Sequence, residues 1–485
     1  MSIANLNPQR VWKNFHSLTQ IPRPSKKEGK AVLFLEKFGK ELGLETIKDE
    51  LGNIIIRKPA TPGMENRKGI ILQAHIDMVP QKNSDKVHDF ENDPIVPRVV
   101  EDWVYATGTT LGADNGLGLA VAMAVLEAKD LVHGPVEALF TVDEETGMTG
   151  ARGLKPGLLK GDILINLDSE DEGELYVGCA GGLDATAVLP YAEKPVPAGY
   201  KGYKLSITGL LGGHSGMDII LGRGNANKVM ARVLLPLMKD AGAELSSIEG
   251  GSLRNAIPRE AFATLAIPAE SCGKAVEIVK AHYAFIQNEL ALQDAGVKVT
   301  LDECTIPSSI IDRVAALKLV QAVYACPNGV ERMSDAVPGL VETSNNLAIV
   351  KSENGKIEVK CLLRSSVDSA KDVLGEAVKA TFELAGASVR LEGGYPGWKP
   401  NMDSDILKTM KSVYNKLYGK EPEVKAIHAG LECGILGGAY PNWDMISCGP
   451  TIRSPHSPDE RALIPTVEKW WNFVIEVLKE APVKK

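Results

Sequence analysis

Two periodicities alternate along the chain. Short unbroken apolar runs, the mark of buried strands, are separated by stretches in which apolar residues recur every three or four positions, the mark of amphipathic helices. Ala31, Leu35, Phe38 and Leu42 recur at helical spacing with lysines and glutamates on the other face, which predicts two helices over 8–42. Strands are expected near 52–56 and 69–73, then a helix through 117–126, then strands over 136–142 and 162–167. The chain up to about residue 185 therefore has an α/β texture.

That texture changes at Gly181-Gly182. Strand, helix, strand, strand, helix and strand follow, with the helices at 225–240 and 273–292 and strands at 203–207, 262–267 and 297–301 among them. A helix at 312–325, strands near 340–350 and 356–363, a helix at 369–385 and a last strand complete the segment. The order β-α-β-β-α-β followed by α-β-β-α-β resembles split βαβ units on an open sheet, so 186–394 reads as an inserted α+β domain of doubled ferredoxin-like type. From 395 the α/β texture returns, with a helix at 403–418, strands at 424–427 and 444–447, and a final helix carrying Trp470 and Trp471. The expected division is 1–185 and 395–485 as two parts of one domain, with 186–394 between them.

Composition narrows the function. At 485 residues the chain is too long for one ordinary core. Its 44% hydrophobic and 24% charged residues are those of a soluble globular protein. A net charge of -8 argues against non-specific binding to nucleic acid or anionic membrane, both of which need a basic excess. The start lacks a basic segment followed by an apolar core, the apolar helical run at 117–126 is too short to span a bilayer, and the seven scattered cysteines form no C-x-x-C pair. Together these lead us to expect a cytoplasmic protein with reduced thiols and no structural cysteine-zinc knot.

The chemistry sits where the apolar runs stop. The run at 69–73 leads into Ala74-His75-Ile76-Asp77, where strand alternation would turn His75 and Asp77 the same way. Such a carboxylate can take the second ring proton of a metal-bound imidazole, although a hydrogen-bonded histidine at a strand end fits the same three residues. The glycine-rich stretch 108–118 has neither G-x-G-x-x-G nor a P-loop lysine, and its distinctive residue is Asp114 at the mouth of a helix, where capping is the simpler role. The strand over 136–142 ends in Asp143-Glu144-Glu145, that over 162–167 ends in Asp168, and His456 lies in a proline-rich loop after the strand at 444–447. In open α/β sheets functional groups gather beyond the carboxyl ends of the strands.

Two imidazoles and three carboxylates, His75, Asp114, Glu145, Asp168 and His456, suit two borderline divalent ions such as zinc, with one carboxylate bridging and each ion keeping a place for water. Glu144 sits beside Glu145, and neighbours in an extended chain point apart, so one of the two can bind metal while the other faces the substrate as a base.

These stretches together, His75-Ile76-Asp77, Gly112-Ala113-Asp114-Asn115, Glu144-Glu145, Asp168-Ser169-Glu170 and Pro455-His456-Ser457, resemble the co-catalytic zinc peptidase family of carnosinases, aminoacylases and glutamate carboxypeptidases over essentially the whole chain. Gly178-Cys179-Ala180-Gly181-Gly182, Arg254-Asn255-Ala256-Ile257-Pro258-Arg259 and His428-Ala429-Gly430-Leu431-Glu432-Cys433-Gly434 narrow the likeness to bacterial dipeptidases of that family.

The resemblance implies an α/β catalytic domain with a mixed central sheet flanked by helices, and an insert acting as lid and dimerisation domain. It implies two Zn2+, with Mn2+ or Co2+ as possible substitutes. Asp114 would bridge them, His75 and Asp168 would hold one and Glu145 and His456 the other, Asp77 would orient His75, and Glu144 would be the general base. It further implies a cis peptide at Asp114-Asn115, substrate contacts at His214, Asn255, Arg364 and Gly430, a homodimer, and hydrolysis of unblocked L-dipeptides of broad side-chain type including Xaa-His. Arg364 is a candidate clamp for the substrate carboxylate, which a guanidinium binds through two parallel hydrogen bonds; a surface ion pair is its simpler reading. The nearest alternative function is an N-acyl amino-acid amidohydrolase using the same metals. A non-catalytic scaffold would be missing ligands, and a two-metal phosphoesterase would carry an added basic cluster that is not evident here.

Overall fold

Four strands, Val136–Thr141, Ile70–His75, Ile163–Asn166 and Asp444–Ser447, run parallel side by side at the centre of an eight-stranded sheet in the computed structural model, which describes residues 2–484. The first three are buried along their whole length, as their Ile, Leu, Val and Phe content demands of parallel strands covered on both faces. Antiparallel strands Ile54–Lys58 and Glu45–Lys48 extend one edge, and Glu174–Cys179 and Glu423–Ile427 the other, so the sheet is mixed. The helix Ala113–Glu127 is apolar on every face and almost wholly buried, which is where a helix without a polar face must go. Helices Gln9–Thr19, Gly29–Glu41, Asp405–Tyr418 and Ile464–Lys479 contribute to the same hydrophobic core.

A small four-stranded sheet in this unit was not anticipated. It joins Ile452–Arg453, Arg461–Leu463, Trp103–Ala106 and Pro97–Val100, and so fixes both ends of the loop that bears His456.

The chain divides into two compact units. One comprises the residues up to Gly178, Pro400–Ala426 and those from Leu431 onward; the other is Cys179–Lys399 with Ile427–Gly430. The second unit has its own core and a nine-stranded antiparallel sheet in the order Lys298–Cys304, Tyr200–Thr208, Ala261–Pro268, Glu244–Gly250, Val341–Glu353, Lys356–Ser365, Gly181–Pro190, Ser388–Tyr395, with Gly329–Met333 beside Val341–Glu353. It contains two β-α-β-β-α-β motifs, each with its fourth and first strands next to each other, joined edge to edge at Glu249↔Lys351 and Gly250↔Val350.

The doubled ferredoxin-like type is present with its elements in the expected order, and strand pairing adds the strand that opens the second motif. The two motifs are nested rather than consecutive: the strand Gly181–Pro190 opens the second motif, and the whole first motif intervenes before the helix Arg313–Ala325. Two leading glycines weakened that strand's pattern, and its partner Lys356–Ser365 lies far along the chain. Among the described residues no helix is long and apolar enough to cross a membrane, and no disulfide joins the seven cysteines.

Candidate metal centre

The parallel strands of the first unit deliver their chemistry at one edge. Ile70–His75 ends on His75, whose side chain is only 1% exposed. Its Nδ1 faces Asp77, 3.1 Å from the backbone oxygen and 3.4 Å from Oδ1. Its Nε2 lies 3.1 Å from Asp114 Oδ1 and 3.4 Å from Asp168 Oδ1. The other oxygen of Asp114, Oδ2, lies 3.4 Å from His456 Nε2, and the same nitrogen is 3.0 Å from Glu145 Oε2. One carboxylate thus faces two imidazoles through different oxygens, with a second carboxylate beside each imidazole.

Asp114 is held in this position by its backbone. The turn into its helix starts at Gly112, at φ 69°, and Asp114 and Asn115 depart from helical geometry, with the bond between them cis. Gly112 and Gly116 leave room for Arg23, whose Nη2 would lie 2.7 and 2.6 Å from a β-carbon at those positions. Arg23 is buried and donates to the carbonyls of Ile76, Asp77 and Gly112. Glu460 accepts four consecutive amides, from Leu111 and Gly112 at Oε2 and from Ala113 and Asp114 at Oε1, at 2.7 to 3.2 Å. Neither Arg23 nor Glu460 was singled out from the sequence, because their partners are backbone groups far away in the chain. A charged residue between two prolines, as Arg23 is, was the only available signal.

Glu144 and Glu145 depart from the geometry expected of them. They are not the end of an extended strand. Asp143 adopts a left-handed conformation at φ 54°, and Glu144–Gly147 forms a helical turn. Asp77 holds that turn, accepting the amides of Glu144 at 3.0 Å and Glu145 at 3.2 Å together with the hydroxyl of Ser25 at 2.8 Å. Asp77 consequently fixes both the His75 ring and the start of the acidic turn. Helical spacing, rather than strand alternation, separates the two glutamates.

Electrostatics follow from crowding buried acids. Burial pushes the Glu144 carboxyl well above the usual range, with the negative charges of Asp168, Glu432 and Glu145 adding to the effect against the opposing field of His75. For Asp114 the upward push of burial is outweighed by hydrogen bonds with His456 and His75, which hold it below the usual range. Asp77 is lowered in the same way, chiefly by His75.

The residues fit a pair of divalent cations. His75, Asp114 and Glu145 place one ligand atom each within 4.8 Å of one another. Oε1 of Glu145 is buried without a hydrogen-bond partner among the described residues, an arrangement costing about 1–3 kcal/mol unless a cation or donor meets it. Nitrogen and carboxylate donors without thiolates match zinc, manganese or cobalt at an open catalytic position.

The second unit holds the other sequence candidates together. His214 accepts the amides of Gly216 and Met217 at Nδ1, at 3.2 and 3.1 Å, which leaves its proton on Nε2. Burial and the charge of Arg364 lower its pKa, so the ring is a neutral Nε2–H donor. Ser215 links the group: its amide donates to the carbonyl of Asn255 at 2.8 Å, and its hydroxyl accepts from Arg364 Nε at 3.3 Å. Arg364, buried, also reaches Tyr395 Oη at 3.4 Å, so it is not a surface ion pair. A β-carbon on Gly430 would meet that same hydroxyl at 2.9 Å. His428, unassigned from the sequence, bonds Ser344 Oγ at 2.7 Å, and burial followed by the nearby Arg364 pushes it down to about 3.

Comparison with known proteins adds the following. A family model described as Peptidase family M20/M25/M40 matches residues 71–480. Over 482 residues the chain is 46% identical to the cytosol non-specific dipeptidase of Escherichia coli (strain K12), covering 99% of each. The crystal structure of an aminoacylhistidine dipeptidase from Vibrio alginolyticus matches with a TM-score of 0.95 at 46% identity, covering 100% of this chain and 99% of that one. A tripeptidase from Staphylococcus aureus matches with a TM-score of 0.57 at 18% identity over 98% of each chain, a likeness of fold alone.

Proposed function

Because the chain belongs to peptidase family M20/M25/M40, we propose that it is a metallo-dipeptidase hydrolysing unblocked L-dipeptides of broad side-chain type, Xaa-His included. The observation that carries this reading is the carboxylate of Asp114, each of whose oxygens faces a different histidine. The names of the Escherichia coli and Vibrio alginolyticus relatives support dipeptides as the substrate class.

When bound, a pair of divalent ions lowers the pKa of a water and polarises a carbonyl. We assign zinc to these positions, with manganese or cobalt as substitutes: Asp114 would be shared between the two ions, His75 and Asp168 would hold one, and Glu145 and His456 would hold the other. Glu144 takes the proton from the water and passes it to the leaving amine, a task its elevated pKa suits. Asp77 keeps the proton of His75 on Nδ1, so that Nε2 presents its lone pair. In the second unit, Arg364 binds the substrate's free carboxylate, His214 offers its Nε2–H to the scissile carbonyl oxygen, and Asn255 and Gly430 contact the substrate. The first unit is thus the catalytic one and the second carries substrate and dimer contacts. A cytoplasmic homodimer completes the reading, the first term supported by the name of the Escherichia coli relative.

A dipeptide panel assayed with and without chelator tests this. Hydrolysis of alanyl-histidine, abolished by chelator and restored by zinc or manganese, is the expected result. Preference for acetyl-histidine would make the enzyme an amidohydrolase of blocked amino acids, and inertness of metal-loaded protein toward every dipeptide would overturn the proposal.

A further inference from the structure

Beneath the strand ends of the first unit lies a chain of buried polar side chains that the mechanism above does not use. Ser169 Oγ and Ser447 Oγ are 2.6 Å apart, and Ser447 donates to Asn166 Oδ1 at 2.5 Å. Asn166 donates through Nδ2 to Gln73 Oε1 at 2.6 Å, and Gln73 donates through Nε2 to Glu432 Oε2 at 2.6 Å. Thr141 donates to the same oxygen at 2.8 Å.

Every donor in this chain points one way. Since Ser447 uses its proton on Asn166, Ser169 must donate to Ser447, and the sequence of donors ends at Glu432. Glu432 accepts at Oε2, which either protonation state can do, and burial raises its carboxyl above the usual range, so its negative charge has to be held by a cation close by. Glu432 is fully buried, and its Oε1 has no hydrogen-bond partner among the described residues. A buried anion with one bare oxygen calls for positive charge nearby.

The chain also has an address. Gln73 precedes His75 by two positions on the same strand, hence on the same face, and Asn166 precedes Asp168 by two. Gln73 and Asn166 are paired across the parallel strands. The charges felt by Glu432 include those of His75 and Asp168.

We propose that Glu432 is a positioning residue for the cation held by His75 and Asp168, supplying buried negative charge beneath that one position and so setting its affinity apart from that of the position at Glu145 and His456. This rests on the two-cation reading above. Glu432→Gln removes the charge yet keeps an oxygen for Gln73 and Thr141.

The test is titration of the metal-stripped full chain with cobalt(II) chloride, followed by visible absorption and chelator competition. The wild type is expected to take up two equivalents. Glu432→Gln is expected to bind one of them about 10–100-fold more weakly, the size of effect seen when an outer partner of a metal ligand is lost. The other equivalent and the melting temperature of the stripped protein should stay as in wild type, and Glu432→Asp should restore the weakened equivalent. Two unchanged equivalents in Glu432→Gln would overturn the inference alone, as would equal weakening of both with a lowered melting temperature, the sign of a merely structural role. If Glu432→Gln does not fold, Glu432→Asp decides: loss of one equivalent despite the retained charge overturns the inference. A wild type that takes up no cobalt overturns the two-cation reading itself.

Discussion

Glu460 holds Asp114 by the backbone, its Oε1 accepting the Asp114 N–H at 3.2 Å while the same carboxylate gathers the three preceding amides. The residue facing both histidines therefore depends on an acid that touches neither. Glu460→Ala should destabilise the fold by about 3 kcal/mol or more, since several hydrogen bonds to one buried charge are lost together. Glu460→Gln should cost nearly as much, because its amide group would meet backbone donors. Urea unfolding of both variants checks this; a Glu460→Gln variant as stable as wild type would count against the cradle.

Metal content should separate the two histidines from the residue between them. Removing the shared carboxylate in Asp114→Ala should strip both ions, whereas His456→Ala should keep about one equivalent, because the other position retains its own ligands. Elemental analysis after gel filtration reads this directly. Equal losses in the two variants would show that Asp114 does not bridge.

Glu144→Ala should leave metal content near normal and lower kcat by about 10²–10⁴-fold, the range for removal of a general base. The readout is dipeptide turnover alongside metal analysis of the same preparation. Activity within tenfold of wild type would shift the role of base to another carboxylate.

Arg364→Met should raise KM for dipeptides by about 10–100-fold, corresponding to one lost charge-assisted hydrogen-bonding group. Dipeptide amides, lacking the carboxylate, should be affected far less. Steady-state kinetics on matched acid and amide substrates make the comparison, and equal effects on both would remove Arg364 from carboxylate binding.

The neutral state of His428 gives a pH dependence with a definite sign. Its pKa, pushed down to about 3 by burial and then by Arg364, lies below the value of about 6.5 expected in the unfolded chain. Between those values the unfolded chain binds a proton that the folded chain refuses, so stability falls as pH falls, with a slope approaching about 1.4 kcal/mol per pH unit. Above the unfolded pKa the contribution is flat. In metal-stripped protein, His428→Gln should remove one proton's worth of this slope, measured by urea unfolding across the acid range.

Much of this was readable in advance because strand ends announce themselves. His75, Glu145 and Asp168 follow apolar runs directly, and polar groups there have few structural reasons to exist. Asp114 and His456 were marked by a glycine-dense turn and a proline-rich loop. Arg23, Glu460 and Glu432 were not readable, since each acts on groups brought near only by the fold, and backbone amides carry no residue-type signature. The helical turn at Glu144 escaped for a local reason, the left-handed Asp143, which no glycine betrayed. The nesting of the two motifs escaped because the strand Gly181–Pro190 finds its partner only after the intervening motif has been traversed.

The position of His456 and Glu460 late in the chain bears on synthesis. His75, Asp114, Glu145 and Asp168 leave the ribosome early, but the strand Asp444–Ser447, the second imidazole and the acid that cradles the Asp114 turn emerge only after the whole intervening unit. A nascent polypeptide halted before Ile452 lacks both groups, and with them the contact between His456 and Glu145 and the amide cradle of the Asp114 turn.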